Sequence, residues 1–208
     1  SKSINTVMET RHPESELPDI IFKQDKTCLL TNYRTGSTYF IRQTFHKNKI
    51  SPTLNWEHFN SDQSFAHSLN EITIPEKVVF KVMPDHIERD MTKLDKIVKV
   101  CSNPIYLYRR DFEAQARSWI AWNISGDHEH HWGEMRNYNV AVSQDVADIY
   151  IMQLLRNYEF MKEAYKKYPG AIHCLEDFPN KRPYARQYTW QSDIKIPEFN
   201  VTKEVFRN

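Results

Sequence analysis

The fold is decided by the stretch TNYRTGST at residues 31–38, because a short apolar run precedes it and a helical pattern follows it. The preceding run, TCLL at residues 27–30, is too short for a helix and is typical of a buried parallel strand. Residues 39–45 can form a helix, for which Ser37 or Thr38 would serve as the N-cap. The pattern predicts a strand, a polar turn and a helix.

The predicted turn carries the groups that hold a phosphate. Gly36 would let the backbone approach a ligand closely, and a helix N-terminus offers N–H groups and the positive end of its dipole. Further donors would be the Arg34 guanidinium and the hydroxyls of Thr35, Ser37 and Thr38. An ordinary capped helix with an exposed arginine explains this segment equally well.

Two common nucleotide-binding patterns are missing from the sequence. A Walker A loop needs Gly-Lys-Ser or Gly-Lys-Thr, and a dinucleotide fingerprint needs Gly-x-Gly-x-x-Gly. Neither pattern occurs, and the chain has only four glycines. Phosphate binding would therefore require a different kind of loop.

A second segment repeats the arrangement further along the chain. The run PIYLY at residues 104–108 predicts another buried strand, and residues 112–122 predict a helix. Arg109 and Arg110 follow that strand, and Ser118 comes two helical turns later. An arginine and a serine so placed can reach one phosphate. Without the first loop, a surface arginine pair and a solvated serine would be the simpler interpretation.

Both segments resemble motifs of the sulfotransferases that use 3′-phosphoadenosine-5′-phosphosulfate (PAPS). The run RTGST at residues 34–38 looks like the family's 5′-phosphosulfate loop. The run RDFEAQARS at residues 110–118 has the Arg-to-Ser offset of its 3′-phosphate motif. The Arg-Arg-Asp and Gln-Ala-x-Ser elements are most similar to the bacterial trehalose sulfotransferase branch.

Three further segments fall in the order that this branch would predict. They are WEHF at residues 56–59, VFKVM at residues 79–83 and LEDF at residues 175–178, so the resemblance spans roughly residues 27–178. The chain departs from the family in having Phe112 where many relatives carry proline, and in lacking an Arg-Lys-Gly loop.

The resemblance implies a three-layer α/β/α fold with a central, mainly parallel sheet, the P-loop-NTPase-like sulfotransferase fold. It also implies PAPS as cosubstrate and 3′-phosphoadenosine 5′-phosphate (PAP) as product, with no metal. Residues 34–38 would hold the 5′-phosphosulfate. Arg110 and Ser118 would hold the 3′-phosphate, with Arg109 as a helper.

The implied chemistry is in-line transfer of a sulfuryl group to a hydroxyl of a small acceptor, such as a carbohydrate. Arg34 and Lys81 would stabilise charge on the leaving phosphate. Glu57 would be the carboxylate base, with His46, His58 and His86 as rivals. Alternatively, Glu57 is a solvated charge, and Lys81 marks the end of a strand.

A histidine-rich stretch and a basic stretch suggest two other interpretations, a metal site and a nucleic-acid site. The run DHEHH at residues 127–131 lacks the His spacing of a zinc site, so a loop on the acceptor side is the preferred interpretation. Aromatic residues around it could pack on a sugar: Trp119, Trp122, Trp132 and Tyr138. The run KRPYAR at residues 181–186 is a weak signal for nucleic acid in a chain of net charge +1.

Length and composition predict one domain over residues 1–208, with a core of about residues 20–178 and a tail at residues 179–208. Three cysteines suggest free thiols and a cytoplasmic location. No apolar stretch approaches a membrane span, and the polar N-terminus is unlike a signal peptide. A homodimer is compatible with the resemblance.

The rest of the chain continues the alternation of strands and helices. Asp90 predicts a helix that ends near Val100, residues 146–168 predict a long amphipathic helix, and residues 171–175 predict a fourth strand. Such alternation favours a parallel sheet with ligands at the carboxyl ends of its strands.

Two other functions remain open at this point. A P-loop-like kinase or nucleotide-binding enzyme would require magnesium and accept ATP. A catalytically inactive relative would bind an anionic ligand or a protein partner without transferring anything.

Overall fold

The computed structural model describes residues 26–44, 53–55, 78–101, 104–126, 135–178 and 185–207. The strands in these residues are Lys26–Thr31 (β1), Thr53–Asn55 (β2), Val78–Val82 (β3), Ile105–Tyr108 (β4), Met135–Val140 (β5), Ile172–Cys174 (β6) and Ala185–Trp190 (β7). The α-helices are Ser37–Thr44 (α1), Met91–Val100 (α2), Phe112–Ser125 (α3) and Gln144–Lys167 (α4). Short helical turns occupy Pro84–Ile87, Leu175–Asp177 and Thr202–Phe206.

Five strands form a parallel sheet in the order β2-β3-β1-β4-β6. The predicted mixed α/β class with a central parallel sheet is therefore confirmed. Strand β1 lies between β3 and β4, and Leu29 pairs with Lys81 on one side and with Ile105 on the other. Because β1 and β4 are parallel neighbours, the two polar segments that follow them begin at the same edge of the sheet.

Helices cover both faces of this sheet. Leu30 belongs to a large apolar cluster with residues of α2, α3 and α4, whereas Leu29 packs in a second cluster with Phe40 of α1. Successive residues of a strand point to opposite faces, so the two clusters lie on opposite sides of the sheet. Burial on both faces explains why β1 and β4 are continuous apolar runs.

The start of α1 differs from the sequence-based expectation. The prediction of Ser37 or Thr38 as N-cap was wrong, because α1 begins at Ser37 and the Gly36 carbonyl accepts the first helical bond, from Phe40 N at 2.9 Å. Gly36 therefore occupies the N-cap position. Glycine is tolerated there almost as well as the usual polar residues.

The other predicted helices and strands are present. Asp90 caps α2 by accepting from Thr92 N at 2.9 Å. Ser143 caps α4, so this helix begins two residues before the predicted start at residue 146. The fourth predicted strand, residues 171–175, corresponds to β6. Within the described ranges, no helix has the length and apolar character needed to cross a membrane.

The core extends past residue 178, the limit predicted from the sequence. Ile194, Val201 and Val205 are buried in the same cluster as α3 and α4. Phe199 stacks on the buried Tyr158 with ring centroids 5.9 Å apart. Strand β7 pairs in parallel with β5 as a separate two-stranded sheet. The described part of the C-terminal segment is therefore built into the domain.

Candidate functional site

The loop after β1 touches α3 through Arg34. The Arg34 Nε donates a hydrogen bond to Ser118 Oγ at 3.0 Å. The guanidinium carbon of Arg34 lies 4.4 Å from the centre of the Trp122 ring, one helical turn beyond Ser118. The structure thus brings together Arg34 and Ser118, which the sequence assigned to two separate phosphate motifs.

The backbone of this loop is held on both sides of Arg34. Gln115, which is fully buried, donates from Nε2 to the Tyr33 carbonyl at 2.8 Å. Arg109 donates from Nη1 to the carbonyl of Arg34 itself, at 3.3 Å. Arg34 has a φ of +58°, in the left-handed region that non-glycine residues rarely adopt. Contacts on each side of the residue stabilise this unfavourable conformation.

Gly36 is needed for a reason that the sequence did not indicate. Its φ is +73°, and a Cβ added to it would lie 2.5 Å from Leu175 Cδ1. Leu175 opens the helical turn after β6 and is buried. The glycine therefore lets the loop pack against another part of the fold, whether or not a ligand also approaches it.

The threonine at residue 35 faces the interior of the protein. The Thr35 hydroxyl lies 2.6 Å from the Thr31 hydroxyl and 3.1 Å from the carbonyl of Asn32. Thr31 in turn donates to the carbonyl of Leu107 in β4, at 2.9 Å. Thr35 is fully buried, so its hydroxyl stabilises the loop from within. Ser37 is also buried, whereas Thr38 is half-buried.

The two arginines after β4 have different surroundings. Arg110 pairs with Asp177, Nη2 to Oδ1 at 2.9 Å, and both side chains are more than half exposed. Such an exposed ion pair contributes little to stability. Arg109 is the arginine whose side chain contacts the loop after β1. Sequence analysis assigned the main role to Arg110, but Arg109 is the arginine that donates a hydrogen bond to the Arg34 carbonyl.

The carboxylate of Glu176 lies at the same edge of the sheet as the two arginines and binds the backbone after β4. Its two carboxylate oxygens accept from the backbone N–H groups of Arg110 and Asp111, each at 2.8 Å. Burial alone would raise the pKa of Glu176, but these N–H groups and other hydrogen bonds lower it overall. Burial lowers the pKa of Arg109, while the carboxylates of Glu176 and Asp111 oppose this effect.

Lys81 and His86 come from β3 and the turn after it. Lys81 is half-buried and pairs in register with Leu29, so it lies on the face of the sheet that carries α1. The His86 ring meets the Tyr33 ring edge-on, with centroids 6.0 Å apart. Lys81 therefore lies on the α1 face of the sheet, and His86 lies beside Tyr33, the residue before Arg34.

Several predicted site residues lie outside the described residues. They are Glu57, His46, His58, Trp132 and the histidine-rich run at residues 127–131. Trp119, proposed for the acceptor side, is instead buried: its ring stacks on Tyr33 and its indole N–H donates to Gln153. In the described ranges, no group of three His, Cys, Asp or Glu side chains is arranged to hold a metal ion.

Sequence reasoning missed the residues whose hydrogen bonds hold the loop after β1 in place, namely Asn32, Tyr33, Gln115 and Asn157. Asn32, Gln115 and Asn157 are fully buried, although asparagine and glutamine are usually exposed. Gln115 and Asn157 fall on the inward faces of α3 and α4, so a polar residue within an apolar helical stripe was the available signal.

Comparisons with known proteins add no relative. No protein-family model matches this chain, and no curated protein or solved structure matches it either. A function for the chain must therefore be argued from its own side chains and their geometry.

Proposed function

We propose that this protein is a PAPS-dependent sulfotransferase with the P-loop-NTPase-like sulfotransferase fold. It would transfer a sulfuryl group to a hydroxyl of a small acceptor, such as a carbohydrate. The observation that carries the proposal is the 3.0 Å contact between Arg34 Nε and Ser118 Oγ. Two segments that resemble the 5′- and 3′-phosphate motifs of one cosubstrate meet at neighbouring strand ends.

The electrostatics of the loop suit an anion. The first N–H groups of α1 have no acceptor within the helix, and its first turn has no acidic residue. The positive end of the helix dipole adds to the charge of Arg34. Ser118 and the ring of Trp122 fix the plane of this guanidinium. A fixed donor is worth more to a transition state than one that must reorganise.

The proposed reaction balances charge and protons among residues of this chain. The bond between sulfur and the phosphate oxygen of PAPS breaks while a bond between sulfur and the acceptor oxygen forms. Arg34, the start of α1 and Lys81 would stabilise the negative charge on the leaving phosphate. Glu57 would take the proton of the acceptor hydroxyl. Three reduced cysteines support a reducing compartment such as the cytoplasm.

Thermal-shift titration tests the cosubstrate directly. PAP without magnesium should stabilise the protein, by about 5–10 °C at a concentration 100-fold above its dissociation constant. Adenosine 5′-monophosphate, which lacks the 3′-phosphate, should bind more weakly at the same concentration. Stabilisation by ATP only with magnesium would favour the kinase-like alternative. No stabilisation by any of these nucleotides would refute the proposal and leave a binding protein for another ligand.

A further inference from the structure

Tyr33, the residue before Arg34, is held by both its backbone and its ring. Its N–H donates to Asn32 Oδ1 at 2.8 Å, and its carbonyl accepts from Gln115 at 2.8 Å. Its ring stacks on Trp119 with centroids 3.9 Å apart and planes 5° apart. Fixing Tyr33 in this way limits the conformations open to Arg34, whose positive φ is unfavourable unless its neighbours impose it.

A chain of hydrogen bonds connects the N–H of Tyr33 to the carboxylate of Asp85. Asn32 Oδ1 also accepts from Asn157 Nδ2 at 3.0 Å. Asn157 Oδ1 accepts from Arg89 Nη1 at 3.0 Å, and the same Nη1 donates to Asp85 Oδ1. Both asparagines are fully buried, so an unpaired amide here would be costly.

A second chain connects the ring of Tyr33 to the other oxygen of the same carboxylate. Asp85 Oδ2 accepts from Gln153 Nε2 at 2.6 Å. Gln153 Oε1 accepts from Trp119 Nε1 at 2.9 Å, and Trp119 is the ring on which Tyr33 stacks. The two chains therefore start at one carboxylate and end on one residue.

We propose that Asp85 is a positioning residue for the anion-binding loop, because its two oxygens fix the N–H and the ring of Tyr33 and thereby the conformation of Arg34. Asp85 lies in the turn Pro84–Ile87 after β3, and its carboxylate accepts from the side chains of Arg89 and Gln153. The inference rests on the proposed function only in taking this loop as the site of the cosubstrate.

The donors around Asp85 require a group that accepts twice. Arginine has no acceptor, and an indole has only its N–H donor. Gln153 must therefore turn its oxygen to Trp119 and its NH₂ to Asp85. A carboxylate satisfies both neighbours, whereas the amide of asparagine has one acceptor and one donor. Asp85→Asn would consequently break one of the two chains.

A double substitution restores the missing complementarity. In Asp85→Asn with Gln153→Glu, the new amide can accept from Arg89 and donate to the new carboxylate. The other oxygen of that carboxylate can accept from Trp119, and the total charge is unchanged. Gln153→Glu alone places two carboxylates next to each other, and their repulsion should disturb the network that holds Tyr33. Each single change should therefore weaken PAP binding more than the double substitution does.

The test measures PAP affinity and hydrogen exchange at the Tyr33 amide, at a temperature where every variant shows native circular dichroism. Each single change should weaken PAP binding about tenfold and speed exchange at Tyr33. The double variant should return to within about threefold of the original affinity. Asp148→Asn, an exposed carboxylate on α4, is the matched control and should change neither quantity.

Trp119→Phe is a milder second test. It removes the indole N–H, and hence the second chain, but keeps a ring for Tyr33 to stack on. We expect about a threefold loss of PAP affinity. The inference is overturned if Asp85→Asn, Gln153→Glu and Trp119→Phe lower only the melting temperature while PAP affinity and Tyr33 exchange stay at the original values.

The same measurements separate this inference from the proposed function. If the unaltered protein does not bind PAP, the proposed function fails. The exchange rate at Tyr33 then decides the role of Asp85 by itself. Faster exchange in both single variants, reversed in the double variant, would support the positioning role, and unchanged exchange would refute it.

Discussion

Arg34 and Ser118 are 84 residues apart in the chain, yet Arg34 Nε donates to Ser118 Oγ at 3.0 Å. One residue follows the central strand β1, and the other lies on the helix after its neighbour β4. The contact exists because parallel strands place their carboxyl ends at one edge of the sheet, where ligands of α/β proteins usually bind. It turns two separate sequence motifs into one candidate site.

Replacing Ser118 by alanine tests whether this contact serves cosubstrate binding. Ser118→Ala removes the acceptor of Arg34 Nε and the proposed donor to the 3′-phosphate. We expect PAP affinity, measured by isothermal titration calorimetry, to fall about tenfold. The affinity for adenosine 5′-monophosphate should fall less, because that nucleotide has no 3′-phosphate.

Ser125→Ala is the matched control for this substitution. Ser125 lies on the same helix, and its hydroxyl contacts the carbonyl of Trp122 at 3.4 Å. Its loss should leave PAP affinity unchanged. Equal PAP affinities for the Ser118 and Ser125 variants would mean that Ser118 does not contact PAP, and hence that the loop after β1 and α3 do not bind the same nucleotide.

The sequence was sufficient to predict the elements that carry this site. Strands β1 and β4 are recognisable because both of their faces are buried, which makes them continuous apolar runs. Asp90 is recognisable as a cap because its carboxylate acts within the first turn of its own helix. These signals depend on neighbours in the chain.

The parts that could not be predicted depend on distant partners. The packing requirement at Gly36 comes from Leu175, and the support of Tyr33 comes from Trp119 and Gln115. Arg109 and Arg110 are adjacent in sequence, and only the structure distinguishes the one that contacts the loop. The local pattern of residues does not specify which distant side chain will contact a given loop residue.

Replacing Gly36 by alanine should destabilise the protein for two separable reasons, the positive φ of this residue and its close packing against Leu175. Gly36→Ala must adopt a φ of +73° and place its Cβ against Leu175. We expect the free energy of unfolding, measured by urea denaturation, to fall by about 2–4 kcal/mol. The same substitution in a Leu175→Ala background should cost less, because the contacting Cδ1 atom is gone.

Gly126 supplies the control for the backbone contribution. It has a φ of +70°, nearly that of Gly36, but an added Cβ would meet nothing within 4 Å. Gly126→Ala should therefore cost only about 1 kcal/mol. Equal losses for the two glycines would show that contact with Leu175 is unimportant and that backbone conformation alone requires Gly36.

The proposed base is tested by Glu57→Gln. The amide cannot take a proton from the acceptor hydroxyl, so sulfuryl transfer from radiolabelled PAPS should fall at least about 100-fold. PAP affinity should stay near the original value, because the phosphate contacts are assigned to other residues. Glu113→Gln, which alters an exposed carboxylate paired with Arg117, should transfer normally. Normal transfer by the Glu57 variant would exclude Glu57 as the base and leave His46, His58 and His86 to be tested.

His173 makes stability depend on pH. Burial lowers the pKa of His173 to about 4 from its ordinary value of 6.5, although the Asp177 carboxylate opposes this. The ring packs against Phe40 and Phe178, and its Nε2 has no hydrogen-bond partner among the described residues. Between pH 6.5 and pH 4 the unfolded chain therefore binds a proton that the folded protein excludes, so stability should fall as the pH is lowered.

Comparison with His173→Leu isolates this contribution. The variant lacks the titrating ring, so it should lose less stability than the original protein between pH 7 and pH 4.5, by about 1–3 kcal/mol in urea denaturation. Carboxylates with lowered pKa values, such as Glu176, also lose their stabilising effect in acid, but they do so in both proteins. The difference between the two pH profiles therefore belongs to His173. Parallel profiles would mean that its ring accepts a proton in the folded protein as readily as in the unfolded chain.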